Sequence, residues 1–145
     1  MEIHEIGPGE AAVAAAALLE LRPHLGSLEA VAERAEAQRA AGYRIAVAVE
    51  PGETDALAAA GFRIHENLAW GRHLYVDDLV TRAQFRGKGH ADAVMAWLED
   101  EARRAGCGEL HLDSGVGADR EDAHRFYFRH RLRITSYHFA RSLTR

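Results

Sequence analysis

The chain is poor in the features that mark several large protein classes. Its 145 residues hold one cysteine, Cys107, so no intramolecular disulfide framework is available, and the composition suits a reducing compartment. No apolar run approaches the ~20 residues of a membrane-spanning helix. Positive charge is not in excess: 18 Lys and Arg stand against 22 Asp and Glu, a net charge of −4, which argues against a general nucleic-acid binder. The opening MEIHEIGPGE is acidic, unlike the basic start of a secretory signal. Repeats, linkers and low-complexity tracts are absent apart from alanine-rich helices near the start. The nine histidines are scattered, with no H-E-x-x-H and no Cys–His grouping, so no metal site is expected. What is present is a 48% hydrophobic composition, enough to fill the core of one soluble domain over 1–145, expected in the cytoplasm.

The local patterns alternate between strand and helix. MEIHEI reads as a short first strand stopped by Gly7-Pro8-Gly9. EAAVAAAALLELR (10–22) is rich in helix formers and closed by Pro23. Ser27 offers an N-cap to a helix over 28–41, with Leu28, Val31, Ala32 and Ala35 on one face and Gly42 at its end. YRIAVAV (43–49) is a strand. The span 54–70 is ambiguous, because LAAA favours helix while Phe62 and Ile64 favour strand. HLYVDDLVT (73–81) is a strand interrupted by two aspartates. After Gly89, Ala91, Val94, Met95, Leu98 and Ala102 form the apolar stripe of a helix ended by Gly106. ELHLDS (109–114) is a strand, REDAHRFYFRH (120–130) a helix, and ITSYHFARSL (134–143) alternates as a closing strand.

The stretch QFRGKGHADAVM (84–95) carries chemistry. Bare backbone and positive charge at the mouth of a helix suit an anion, since a helix N-terminus presents unpaired N–H groups and partial positive charge. The P-loop pattern fails, because Arg82 stands where its first glycine belongs and Gly89 where Ser or Thr should follow the lysine. The dinucleotide pattern fails at Asp92, which replaces the third glycine. Arg86-Gly87-Lys88-Gly89-His90-Ala91 instead fits [R/Q]-x-x-G-x-[G/A] between a strand and an amphipathic helix.

With YVDDLVT before it and ELHLDSG and AHRFYFRH after it, this run resembles the GCN5-related N-acetyltransferases over residues 73 to about 143. The resemblance implies an α/β (α+β) single-domain fold, a mixed sheet of about six or seven strands flanked by about four helices. The third strand then lies in 54–70, paired as a hairpin with 43–49. It implies acetyl-CoA as co-substrate and no metal, with the pyrophosphate on Arg86, Gly87, Lys88, Gly89, His90 and Ala91. The missing Cβ atoms of the glycines let backbone N–H groups come close. Main-chain groups of Leu79 and Val80 would pair with the pantetheine arm. Acetyl transfer to a primary amine in a ternary complex needs a neutral amine, a stabilised oxyanion and a protonated leaving thiolate, but no enzyme nucleophile. Cys107 is accordingly read as structural.

Tyr127, in the F-Y pair of the last helix, would be the general acid, its phenol of pKa ~10 facing a thiolate of ~8.5. Asp77 would take the amine's proton. Asp78, its strand neighbour, would face away, capping a loop or pairing with a basic residue, and the family carries a bulge near this point that disturbs strict alternation. The acceptor is expected to be a small cationic amine bounded by Glu66, Asn67, Trp70 and Asp77, with no nucleic acid or membrane partner and a homodimer allowed for. Two departures stand out. Arg131-Leu132 replaces the Gly-Phe that often ends the tyrosine helix, and Arg120 stands where an asparagine is common. The basic residues Arg125, Arg129, Arg131 and Arg133 read as a solvated face. A non-catalytic acyl-CoA-binding domain, another acyl donor, or a peptide N-terminus as acceptor are the alternatives.

Overall fold

A computed structural model describes residues 1–144. The chain divides into two compact units, Met1–His111 and the residues from Leu112 onward, and each is described by itself. Five strands form one mixed sheet in chain order: β1 (Glu2–Ile6), β2 (Arg44–Val49), β3 (Ala58–Asn67), β4 (Gly71–Thr81) and β5 (Glu109–Leu112). The first four are antiparallel neighbours. Four helices accompany them, α1 (Ala12–Leu21), α2 (Leu28–Gln38), α3 (His90–Arg104) and α4 (Glu121–Arg129). The α/β class is as expected, but the sheet has five strands among the described residues rather than six or seven.

The missing strand is the one expected over 134–143. This segment has no ladder partner among the described residues and runs as irregular chain. Ile134, Tyr137 and Phe139 are all more than three-quarters exposed. Alternation says which residues would share a face if a neighbouring edge were there; it does not supply the edge.

In the first unit, side chains alternate across the sheet. Tyr43, Ile45 and Val47 face α1 and α2, where they meet Ala14, Leu18, Val31 and Ala35 in one buried cluster. The opposite face takes α3, whose Val94, Met95, Leu98 and Ala102 are buried and whose Trp97 meets Phe62 edge-on at 5.8 Å. The run Ala58–Ala60 is fully buried in β3. Alanine is a strong helix former, yet here β2 and β4 pair with it on both edges and tertiary context overrides propensity. The ambiguous span thus forms the hairpin partner of β2. Helix ends follow the expected signals: Ser27 Oγ accepts from the Ala30 N–H at 3.1 Å, and Gly42 (φ 92°) and Gly106 (φ 80°) turn the chain after α2 and α3.

An ion-pair cluster ties α3 to the sheet. Glu101 bonds Arg44 at 2.6 Å and also Arg104, while Arg44 reaches Glu5 of β1 at 2.7 Å. The Arg104 and Arg44 guanidiniums hold the Glu101 carboxyl down at about 2.

Candidate active site

The pairing of β3 with β4 is regular except at one place. Gly61 pairs with Asp78 and Phe62 with Val76, so Asp77 is the extra residue of a β-bulge. A bulge breaks strict alternation of side chains. The consequence is that Asp77 and Asp78, adjacent in sequence, both line the same cavity of about 470 Å³. The expectation that Asp78 faces away is therefore corrected, although its pairing with a basic residue is observed.

The cavity lies between β4 and the α1–α2 region. Leu18 of α1, Arg22, His24 and Leu25 of the connection, and Val31, Arg34, Ala35 and Gln38 of α2 form one wall. The four α2 residues fall at i, i+3, i+4 and i+7, a single helix face. Tyr43, Tyr75 and the two aspartates form the other wall.

Asp78 is held from two sides. Arg22 Nε donates to its Oδ1 at 3.0 Å, and the Tyr43 hydroxyl donates to its Oδ2 at 2.7 Å. Burial, with Asp78 and Asp77 close by, pushes the Tyr43 phenol far above its usual range, so it stays a proton donor to the carboxylate. Tyr43 reaches Asp78 by lying across Gly61: a Cβ there would sit 1.8 Å from the Tyr43 hydroxyl oxygen. Asp77 Oδ2 accepts from Arg63 Nε at 3.0 Å, and Arg63 is fixed in turn by Gln38 Oε1 at 2.7 Å. Burial raises the Asp77 carboxyl above the ordinary carboxylate range, with Arg63 opposing the rise. A carboxylate of raised pKa is a better proton acceptor than a free one, provided it is still ionised at working pH.

Leu79 and Val80 follow the bulge, paired with Ala60 and Ala59 of β3. The chain then leaves β4 through a single turn (Ala83–Phe85), anchored to α1 by Glu20, which accepts from the Ala83 N–H at 2.8 Å. Gly87 (φ 79°) and Gly89 (φ 82°) adopt left-handed conformations that a side chain would strain. The fifteen-residue helix α3 then starts with no side-chain cap. The N–H groups of Gly87, Lys88 and Gly89 donate to no protein acceptor among the described residues. Arg86 and Lys88 are exposed, with Arg86 Nε folded back to the Thr81 carbonyl at 3.3 Å. Open N–H groups, glycine backbone and two cations fit a pyrophosphate. His90 offers backbone only, because its ring is buried against the Met1 sulfur at 2.8 Å. Ala91 is small and half-buried beside it.

Tyr127 belongs to the second unit. It is half-buried on α4, its ring edge-on to Phe126 at 5.8 Å. The helix ends in a Schellman turn: the Leu132 N–H bonds the Tyr127 carbonyl at 3.0 Å and the Arg131 N–H bonds Phe128 at 2.9 Å. Arg131 takes the glycine-like conformation itself, with φ 66°.

Of the four residues expected around the acceptor, only Asp77 lines the cavity. Glu66, Asn67 and Trp70 lie at the β3–β4 hairpin tip, where Trp70 stacks on His111 at 3.7 Å. The residues that sequence reasoning missed are Arg22, Arg34 and Tyr43. Their signals are weak: an α2 stripe wider than its apolar part, and a glycine inside β3. Burial raises the Cys107 thiol above its usual value, the opposite of what an attacking thiolate needs. Among the described residues no three His, Cys, Asp or Glu side chains group as metal ligands, and no helix is long and apolar enough to cross a membrane.

Comparison with known proteins agrees with this arrangement. A stretch of 57 residues is 47% identical to a Bacillus subtilis protein named an uncharacterized N-acetyltransferase, covering 39% of each chain. Another of 68 residues is 34% identical to the aminoalkylphosphonate N-acetyltransferase of Salmonella typhimurium, covering 47% of this chain and 43% of that one. The chain spans about two fifths of the length of the curated relatives it matches. The crystal structure of glucosamine-6-phosphate N-acetyltransferase from Arabidopsis thaliana shares the fold over 99% of this chain and 98% of its own, with a TM-score of 0.72 at 22% identity. The model of the Acetyltransferase (GNAT) family matches residues 13–131, across the bulged strand, the glycine turn and the tyrosine helix, and the chain belongs to that family.

Proposed function

We propose that the chain is a single N-acetyltransferase domain that moves an acetyl group from acetyl-CoA to a small primary amine in the cytoplasm. The observation that carries this reading is the β-bulge, which turns Asp77 into a cavity on the same strand that leads into the uncapped N-terminus of α3. The bulge in that strand offers a proton acceptor, and the turn beyond it offers N–H donors for a phosphate. The names of the two curated relatives support an amine acceptor.

The amine nitrogen attacks the thioester carbonyl carbon, a C–N bond forms and the C–S bond breaks. Asp77 accepts the proton that the nitrogen loses. Main-chain groups of Leu79 and Val80 hold the pantetheine arm, and one N–H polarises the carbonyl. Tyr127 gives its proton to the departing thiolate. The N–H groups of residues 87–91, with Arg86 and Lys88, hold the pyrophosphate. The acetyl group ends as an amide and the coenzyme as a free thiol, so no oxidant or metal enters the balance.

Thiol release from acetyl-CoA, followed over a panel of amines with the acetylated product weighed by mass spectrometry, tests the proposal. Asp77→Asn should lower kcat by roughly 10²–10⁴, the usual range for a lost general base. Tyr127→Phe should slow turnover while sparing coenzyme affinity. Coenzyme binding with no thiol release on any acceptor would replace this proposal with a binding-only role.

A further inference from the structure

The charges around the cavity do not balance, and the imbalance names the kind of acceptor. Resting on the acetyltransferase reading, we infer that the acceptor is a short amine that also carries an anionic group, and that Arg34 is the residue that selects it. Two carboxylates line the cavity, and each already has a guanidinium: Asp78 has Arg22 at 3.0 Å and Asp77 has Arg63 at 3.0 Å. A third guanidinium, Arg34, lines the same cavity and has neither an ion pair nor a hydrogen bond among the described residues. Arg63 matches Asp77 from outside the lining and Arg22 matches Asp78 within it, so Arg34 is the lining charge left unmatched, in a chain whose net charge is −4.

Each part of such an acceptor meets a matching group. The reacting nitrogen must be neutral when it attacks, so its end needs a proton acceptor, which Asp77 supplies, rather than a permanent counter-charge. The far end meets Arg34, a planar donor fork suited to a carboxylate, phosphonate or phosphate. A polyamine gains little here, because both carboxylates are occupied and its second charge would face the unpaired guanidinium. The cavity volume of about 470 Å³ falls within the range of small-molecule sites. Arg34 is exposed on α2 and lines the cavity, so it can discriminate without being part of the core.

The test uses the whole chain with matched acceptors: β-alanine against propylamine, 2-aminoethylphosphonate against ethylamine, and spermidine. The wild type should favour an anion-bearing member over its partner by at least about tenfold in kcat/KM, as expected for a charge-assisted contact at a partly exposed site. Whichever pair shows the preference identifies carboxylate or phosphonate as the group held. Arg34→Gln should raise KM for that acceptor about tenfold, with kcat and the anion-free amines unchanged, and Arg34→Lys should recover part of the loss. Equal or better use of propylamine, ethylamine or spermidine would overturn the inference and leave the acetyltransferase intact. So would an Arg34→Gln effect of the same size on both members of a pair. Absence of transfer to every amine would instead sink the acetyltransferase reading. Thermal-shift titrations with the same compounds would then decide the pocket separately: stabilisation by an anion-bearing amine that Arg34→Gln abolishes supports it, and no difference between the two proteins refutes it.

Discussion

Arg131 occupies a backbone position built for glycine, and replacing it should stabilise the protein. Its φ of 66° is the only positive value at a non-glycine residue among those described. The left-handed region costs a residue with a Cβ roughly 1–2 kcal/mol, and Arg131→Gly removes that strain. The same change gives the unfolded chain more freedom, which takes back ~0.4–1 kcal/mol. The difference is a gain of about 0.5–1 kcal/mol. Nothing is lost in exchange, because the Arg131 side chain is exposed and makes no ion pair among the described residues. For a chain of this length that corresponds to a rise in melting temperature of roughly 2–4 °C. Thermal and urea unfolding measure it. The local readout is amide exchange at Leu132, whose N–H closes the turn on Tyr127 and should become better protected. Arg131→Ala is the control: it removes the charge but keeps a Cβ in the left-handed region, so its stability should stay at the wild-type level. If the alanine and glycine variants gain equally, the benefit comes from charge and the strain argument is wrong.

The active-site wall offers further perturbations. Gly61→Ala pushes a methyl into the Tyr43 hydroxyl, where only 1.8 Å separates them, and should cost about 1–3 kcal/mol as an overpacked core does; wild-type stability would show that Tyr43 moves freely. Arg63→Gln removes the group that opposes the rise of the Asp77 carboxyl. The acidic limb of the kcat profile should therefore move to higher pH, and an unmoved limb would take Asp77 out of the role of base. Glu101 has a folded-state value near 2, below the ordinary carboxylate value of 4.5, so its stabilising effect is complete above that ordinary value and is lost as pH falls toward 2. Glu101→Gln should lower stability at neutral pH by about 1.5–3 kcal/mol, the worth of hydrogen bonds to a charged group, and flatten the acid limb of the unfolding curve. Arg86→Glu should weaken coenzyme A binding measured by titration calorimetry, and unaltered affinity would discredit the glycine turn as the phosphate site.

How much of this could be read from the chain depended on how local each determinant is. Ser27, Gly42 and Gly106 act within a few residues of themselves: α2 starts after Ser27 and α3 ends just before Gly106, while α2 ends at Gln38 and a 3-10 turn over Arg39–Ala41 carries the chain on to Gly42. The turn at 86–91 is equally local, since glycine, charge and the start of α3 are contiguous. Ala58–Ala60 is the opposite case. Its propensity points to helix, and only pairing with residues ten or more positions away on each side makes it a strand. The segment 134–143 fails for a related reason, because its alternation is real but its pairing edge is not encoded nearby.

The site shows the same division more sharply. Alternation places Asp77 and Asp78 on opposite faces, and one inserted residue against Gly61 is enough to bring both to one cavity. No pattern within YVDDLVT reports that insertion, since it is a property of the register between two strands; only the family resemblance pointed to a bulge nearby. The partners that set the charge of the cavity are further off still. Arg22 lies 56 residues from Asp78, Tyr43 lies 35 from it, and Arg63 lies 14 from Asp77. Without them the aspartates look like a negatively charged pocket awaiting a cationic amine. With them, each aspartate is already paired and the unmatched lining charge is Arg34, which is the basis of the proposed anion-bearing acceptor although no residue of the motif has changed. Gly61 is where the sequence came nearest to disclosing this: a glycine inside a strand, here between Ala60 and Phe62, marks a place where another side chain can cross the backbone, and the crossing side chain is Tyr43 on its way to Asp78.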